Sequence, residues 1–577
     1  VVGGTASQSN TTGNANIACG YGALYSNTTA SNNSAIGFKA LYTNTTGYQN
    51  CAFGSLTLHL NTTGSRNIGI GQEALYPNTT GYDNVGIGYN ALRNNTTGIY
   101  GTAVGNYALK SNTTGANNAA CGHTAMFSNT TGQKNSAFGP YALYSNTTSS
   151  YCSAFGYQAL YFNASGQFNS AFGYQALYNN TGGTYNTAVG NNALRANTTG
   201  SNNTACGWTA LYKNTTSSRN AAFGYEALYN NTAYYNNAFG YKALYSTTTG
   251  ANNSALGYQA LQQNTTGANN SAFGYNSLHY NTTGYINNAF GYEALLSNLT
   301  GTHNCAFGHQ ALKSNTIGTS NLALGSPYTL SSNTTGSANV ACGAHAMRYS
   351  GSGNYNTAVG FMSSEKGLGS HGCSLGAYSL YNTTTGSENT AVGSAAGKYC
   401  TTGSNNIFIG KNAGKGCGVS DSQKLYIHSG PESEQLGGYG YGTTGPLIGG
   451  DFSARQVYIN GELRVSGDIT AYVSSDKRLK NNLEKINDPL DKLNKINGYT
   501  FDWIEKEGVH YNKGHDMGVI AQEIEEVLPE IVVTRDNGYK AVRYEKIVPL
   551  LIETIKEQQK QINKLNDRLE KLENMFN

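Results

Sequence analysis

Glycine returns every seventeen residues for about four hundred residues: Gly20, Gly37, Gly54, Gly71, Gly88 and onward to Gly410. So short and regular a period marks stacked coils rather than a series of globular domains. One copy reads Asn169-Ser170-Ala171-Phe172-Gly173-Tyr174-Gln175-Ala176-Leu177-Tyr178, then a turn of Asn, Thr and Gly leads to the next anchor at Gly190. About twenty-five copies follow one another. Seventeen residues cannot enclose a core alone, but stacked copies can. The two apolar runs in each copy, one at the anchor and one at Ala-Leu-Tyr, are too short for helices. They predict two β-strands per coil.

The fold class is therefore mainly β, a parallel β-solenoid over residues 1–418. Coils about 4.8 Å apart give a rod on the order of 120 Å. In-register stacking places Asn over Asn, for a chain of side-chain amide bonds, and Tyr over Tyr. The residue before each anchor is Val, Phe, Ile, Leu or Cys (Val104, Phe138, Ile36, Leu256, Cys121) and is expected inside with Leu109, Leu143 and Leu41. Ala103, Ala137 and Ala35, one position earlier, then face outward by strand alternation. A small residue there implies close approach by a neighbouring chain. Steps of sixteen (Gly224 to Gly240, Gly360 to Gly376) and eighteen (Gly325 to Gly343) are loop-length changes. Val2-Gly3 already stands in the anchor frame, and no Met opens the chain, so an upstream attachment segment is expected.

Charge divides the chain. Thirty-six of its sixty-six charged residues follow Ser475, leaving the repeats almost uncharged. A net charge of +4 without a basic stripe gives no reason to expect nucleic acid. No run of eighteen apolar residues predicts a membrane span. Low charge with abundant Tyr, Asn and Thr fits an extracellular or virion surface that meets glycans.

The cysteines Cys19, Cys121, Cys206 and Cys342 take the position assigned to the interior and read as small buried hydrophobes, as do Cys51, Cys305 and Cys373. Cys400 and Cys417 are one period apart, which stacking brings within disulfide range. No Cys-x-x-Cys or His cluster points to a metal, and no cofactor motif occurs. Asn-x-Thr triplets such as Asn112-Thr113-Thr114 match glycosylation acceptors, though turns and ladders require the same residues. Glu226, Glu293 and Asp83 fall in different coils, without the paired carboxylates of a polysaccharide-cleaving groove.

Residues 419–474 read as a β-rich neck, with strands at Lys424–Ile427, Val457–Ile459, Leu463–Val465 and Ile469–Tyr472, and turns at Asn460-Gly461 and Gly467-Asp468. Residues 475–577 read as an α+β module ending in a coiled coil. Val548, Ile555, Ile562, Leu569 and Phe576 fill one heptad position, and Leu551, Leu565 and Leu572 the other, interrupted by Gln558. The heptads establish oligomerisation but not its order.

The segment Ser475-Asp476-Lys477-Arg478-Leu479-Lys480-Asn481-Asn482-Leu483, with Gly518-Val519-Ile520-Ala521-Gln522-Glu523, Leu528-Pro529-Glu530 and Tyr544, resembles the endosialidase-type intramolecular chaperone. That family closes phage tail spikes and fibres and some other trimeric proteins. The resemblance implies a module that trimerises, guides folding of the β-rod upstream and cuts itself off. Its cleavage uses a serine and a lysine five positions later, here Ser475 and Lys480, and the bond Ser474–Ser475. Chemically, Ser475 would attack the Ser474 carbonyl while Lys480 takes its proton, aided by Lys477 and Arg478. Locally the same residues also fit a charged turn with an N-cap. The rod is similar, more loosely, to trimeric autotransporter adhesin heads. These resemblances imply a homotrimeric virion fibre or spike for host attachment. Its partners would be a host glycan or receptor and, through the upstream segment, tail or baseplate proteins. The alternatives are a bacterial surface adhesin or a purely structural filament.

Overall fold

The computed structural model describes the chain except residues 368, 416, 431–446, 460–462, 464–474, 507–512, 536–537 and 577. It forms two compact units, Val1–Ser370 and His371–Asn577.

In the first unit each coil contributes one three-residue strand, from β1 (Ile17–Cys19) to β21 (Thr357–Val359). Neighbours pair in parallel and in register, Ala171 beside Ala154 on one side and Ala188 on the other. Val2 bridges Cys19 in the same frame. The expected second strand is absent. The Ala-Leu-Tyr run is a turn, with Leu177 at φ 51° and Gln175 at φ 50°. Left-handed backbone in a non-glycine residue costs on the order of 1 kcal/mol. It recurs because it turns successive N–H groups along the rod axis: Leu177 donates to Ala193 O at 3.0 Å and Gln175 to Tyr157 O at 2.9 Å. Turn backbone thus pairs between coils as strand backbone does, and Leu177 is fully buried by the same geometry.

The strand polarity is the reverse of expectation. Ala35, Ala103 and Ala137 are fully buried, while Ile36, Val104, Phe138 and Leu256 stand on the outside, each more than a third exposed. The interior is too narrow for an aromatic ring beside the Leu column. The second unit shows this where the pattern changes. Phe408 takes the Ala position and is fully buried, and the Leu column is vacated there by Gly397 and Gly414. A Cβ on either glycine would lie 2.7 or 2.3 Å from the Phe408 ring. The reversal also corrects the cysteines: Cys121 is exposed, and Cys19, Cys206, Cys342, Cys51, Cys305 and Cys373 are partly so.

The anchor glycine is required twice over. Gly173 has φ 139°, and a Cβ there would lie 2.4 Å from the carbonyl oxygen of Gly190. The asparagine ladder forms as expected. Asn61 Nδ2 donates to Asn44 Oδ1 at 2.8 Å and to Gly64 O at 2.8 Å, and Asn78 repeats this on Asn61. A second Asn column caps the strand backbone, Asn50 Oδ1 accepting from Asn67 N at 3.0 Å. Aromatic columns stack likewise: Tyr25 on Tyr42 at 4.9 Å, then His59 and Tyr76. The sixteen-residue step from Gly224 to Gly240 is a shortened turn, where Asn231 Nδ2 reaches Ala233 O two residues on instead of three. The eighteen-residue step inserts one residue between Gly325 and Leu330.

In the second unit, β22 (Cys373–Leu375), β23 (Thr390–Val392), β24 (Ile407–Ile409) and β25 (Lys424–Ile427) continue the parallel pattern. The first neck strand is therefore one more coil strand. β26 (Ile448–Asp451) then pairs antiparallel with it, and β27 (Gln456–Ile459) with β26. The sequence reading missed β26. Pairing of Lys424 with Asp451 holds this end of the ladder. The remaining neck strands and both neck turns lie outside the described residues.

The C-terminal module has helix α1 (Pro489–Asn494), hairpin β28 (Gly498–Asp502) and β29 (His515–Val519), helix α2 (Ala521–Val527), β30 (Val532–Thr534) with β31 (Lys540–Val542), and helix α3 (Val548–Phe576). Its core is small: Ile524, Leu528, Ile531 and Leu550, with Ile486, Leu493 and Val519 against them. No helix among the described residues is long and apolar enough to cross a membrane.

Candidate active site

Ser475 and Lys480 meet because of the turn between them. Asp476 caps a single 3-10 turn, Lys477–Leu479, accepting from Arg478 N at 2.8 Å. Its carboxylate also holds the Arg478 guanidinium, Nη2 to Oδ2 being 2.7 Å. The guanidinium, then the amide, keep the Asp476 carboxyl below its ordinary range. Lys480 follows in extended conformation and its side chain folds back, Nζ donating to Ser475 Oγ at 2.9 Å. The N-cap turn expected from the local sequence is present, and it brings the Ser475 and Lys480 side chains together. Arg478 is committed to Asp476 and does not face the lysine amine as a free cation. Ser474, on the other side of the bond expected to be cut, lies outside the described residues.

Residues 475–480 are all exposed in the single chain. A lysine gives up its proton when burial or neighbouring cations make the charge unfavourable, so this pair has the contact that a serine and its base would need but no desolvating cover.

The other motif residues converge on the module core. Tyr544 Oη accepts from Val519 N at 3.2 Å, and a Cβ on Gly518 would lie 2.7 Å from the same oxygen. Tyr499 donates to Glu523 at 2.7 Å. Thr554 donates to Pro489 O at 3.2 Å, tying the start of α3 to α1. Beyond that point Ile555, Ile562, Leu565, Leu569 and Leu572 are exposed, with no cover from their own chain.

Elsewhere the candidates separate. Cys400 and Cys417 are buried free thiols one coil apart, in the column where Asn forms the ladder. The Cys417 thiol faces Cys400, which lowers the Cys400 thiol and pushes Cys417 up. Asn112 is buried, its amide nitrogen donating to Asn95 Oδ1 at 2.8 Å and Gly115 O at 3.0 Å, so a glycan there would break the ladder. Asp83, Glu226 and Glu293 each pair with a cation of a neighbouring coil: Arg66, Lys242 and Lys313. An exposed row, Tyr225, Tyr241, Tyr258, Tyr275 and Tyr292, stacks at 5.0–5.3 Å. The period itself predicts this stacking of Tyr over Tyr, and the row is interrupted where the column holds Ser, Asn or Pro in other coils.

Residues 475–533 match the family described as chaperone of endosialidase. The chain is 34% identical over 134 residues to the long tail fiber protein Gp37 of Salmonella phage S16, covering 21% of this chain and 18% of that protein. It is 32% identical over 117 residues to the Gp37 proteins of Enterobacteria phages K3 and T2, covering 19% of this chain and 9% of each of theirs. The chain thus spans less than a fifth of the length of these relatives. Its C-terminal module carries a chaperone of endosialidase domain, and about a fifth of the chain is similar to phage long tail fibre proteins.

Proposed function

We propose that this protein is a phage tail-fibre component for host attachment, built as a rod (1–418), a neck (419–474) and a module (475–577) that aligns three chains and then releases itself. The observation that carries the reading is the 2.9 Å contact of Lys480 Nζ with Ser475 Oγ, inside the segment that matches the chaperone family. Long parallel β-structure nucleates slowly, and near-identical coils permit slips of a whole coil. Uncovered heptads on α3 would pair copies at one end and fix their register first. Burial between chains would then supply the desolvation that the exposed dyad lacks, so cutting would follow assembly.

In the cut itself, neutral Lys480 takes the Ser475 hydroxyl proton as Oγ attacks the Ser474 carbonyl carbon. The peptide C–N bond breaks, the Ser475 nitrogen takes up a proton, and the resulting ester to Oγ is hydrolysed by water. Loss of the module removes the reverse path and leaves the product kinetically trapped. The hydroxyl row from Tyr225 to Tyr292 supports a host polysaccharide as the surface met by the rod, with many weak contacts adding through avidity.

Expression of the parent chain beside Ser475→Ala and Lys480→Ala tests the reading by denaturing gel and intact mass. The parent yields a fragment beginning at Ser475, and both variants stay whole. Identical patterns for all three would remove self-cleavage.

A further inference from the structure

The strand column that faces outward is apolar in every coil of the first unit. From Cys19 and Ile36 to Cys342 and Val359 it holds only Ile, Phe, Val, Leu or Cys, twenty-one residues without a polar or charged member. The column beside the anchor on its other flank is mixed, with Tyr, Gln, Asn, Ser, His and Pro. The apolar column is also continuous. Phe138, Phe155 and Phe172 stack at 4.8 and 4.9 Å, and Phe273, Phe290 and Phe307 at 4.6 Å. Two-fifths of each side chain remains exposed at Phe138, Phe172 and Phe239. Summed over the column this is on the order of 1,000 Å² of apolar surface. A soluble monomer rarely shows a patch beyond a few hundred Å², whereas about 800 Å² per partner makes a stable interface.

We infer that this column is the face by which copies of the chain pack against one another along the rod. The inference rests on the trimeric reading above and adds to it which surface is shared. A partner that covers an apolar group at every coil, for twenty-one coils, must carry the same repeat, and another copy does. Copies aligned in parallel by the helical seam of α3 present the column in matching register. The outward neighbour two residues earlier on each strand is small or β-branched in most coils (Ser136, Ser153, Ser170, Thr187), which leaves room for the partner's backbone to approach.

Native cysteines in the column provide the test. In the full-length Ser475→Ala chain, Cys121 is measured for reaction with a bulky charged maleimide, against Cys introduced at exposed Thr216 in the Asn-Thr turn, with the mass of the particle determined on the same sample. Three-chain mass with Cys121 at least tenfold slower than the Thr216→Cys thiol supports the inference. Three-chain mass with Cys121 as reactive as that control overturns it and leaves the trimeric reading standing. Single-chain mass overturns both. A second variant, Phe155→Asp with Phe172→Asp, is expected to abolish the three-chain rod, while Tyr174→Asp retains it. Unchanged assembly of the double variant would also overturn the inference.

Discussion

The repeat unit and the C-terminal module solve the same problem, too little core per residue, by opposite means. The rod buries two Ala columns and one Leu column and satisfies turn backbone by stacking, so every coil depends on the next. The module gathers four buried side chains from α2, the turn that follows it and the start of α3, and leaves a long helix with its apolar seam bare. One region stores its information in repetition, which is stable but ambiguous in register. The other repeats only in the short heptad run of α3, which Gln558 interrupts, and the rest of the module has a single arrangement. A chain that needs a long uniform rod gains a defined starting point by ending in a non-uniform one.

The contrast predicts unequal responses to the same substitution. The largest effect is expected at the anchor. Gly173→Val places carbon against the Gly190 carbonyl in a left-handed backbone, a combination that costs more than about 3 kcal/mol. Limited proteolysis should then cut the rod near that coil. Gly498→Ala, with open space at its Cβ, should leave the module's protease resistance unchanged.

Next come the leucines. Leu177→Ala opens a cavity in a fully buried column and should cost about 2–5 kcal/mol, read as faster amide exchange in coils near that site. Leu565→Ala, exposed in one chain, should leave the module folded and lower its association instead, as read by sedimentation of the uncut chain.

Asn112→Ala sharpens the comparison at smaller scale. It leaves Asn95 Oδ1 and Gly115 O without their donor in a buried ladder, about 1–3 kcal/mol. Local exchange protection should drop there and not at distant coils.

The smallest effect concerns acid. His279 is buried, and that burial lowers its pKa below the ordinary value. The unfolded chain binds the proton more readily, so stability at this coil rises with pH and is lost as pH falls below the ordinary histidine value. His279→Gln should flatten that dependence in local exchange measured between pH 7 and pH 5. An equally steep dependence in the variant would assign it to another group.

Much of this was legible because a residue that stacks on itself announces its role. The Asn and Tyr ladders, the anchor spacing and the shortened turn at Asn231 all follow from one period. The sign of the strand was not legible from hydrophobicity. Alternation says that Ala171 and Phe172 face opposite ways but not which is inside, and the usual ranking of Phe over Ala gave the wrong answer. The informative signal was the constancy of the small residue, which marks a tight interior, and its large exceptions at the far end, Phe408 with Tyr426 stacked beside it, the Phe408 ring being answered by glycines at 397 and 414. The second strand was misread because Leu in a left-handed turn leaves no trace in composition. In the module, the five-residue spacing of Ser475 and Lys480 was visible, while the dyad's exposure was not.

The most direct test of the account is the mass of the rod after the module has left. Parent protein, cleaved and freed of its C-terminal fragment, is measured by sedimentation equilibrium. The account predicts a particle of three copies of residues 1–474, held together without the helix that began the assembly. A rod that sediments as a single chain would contradict it.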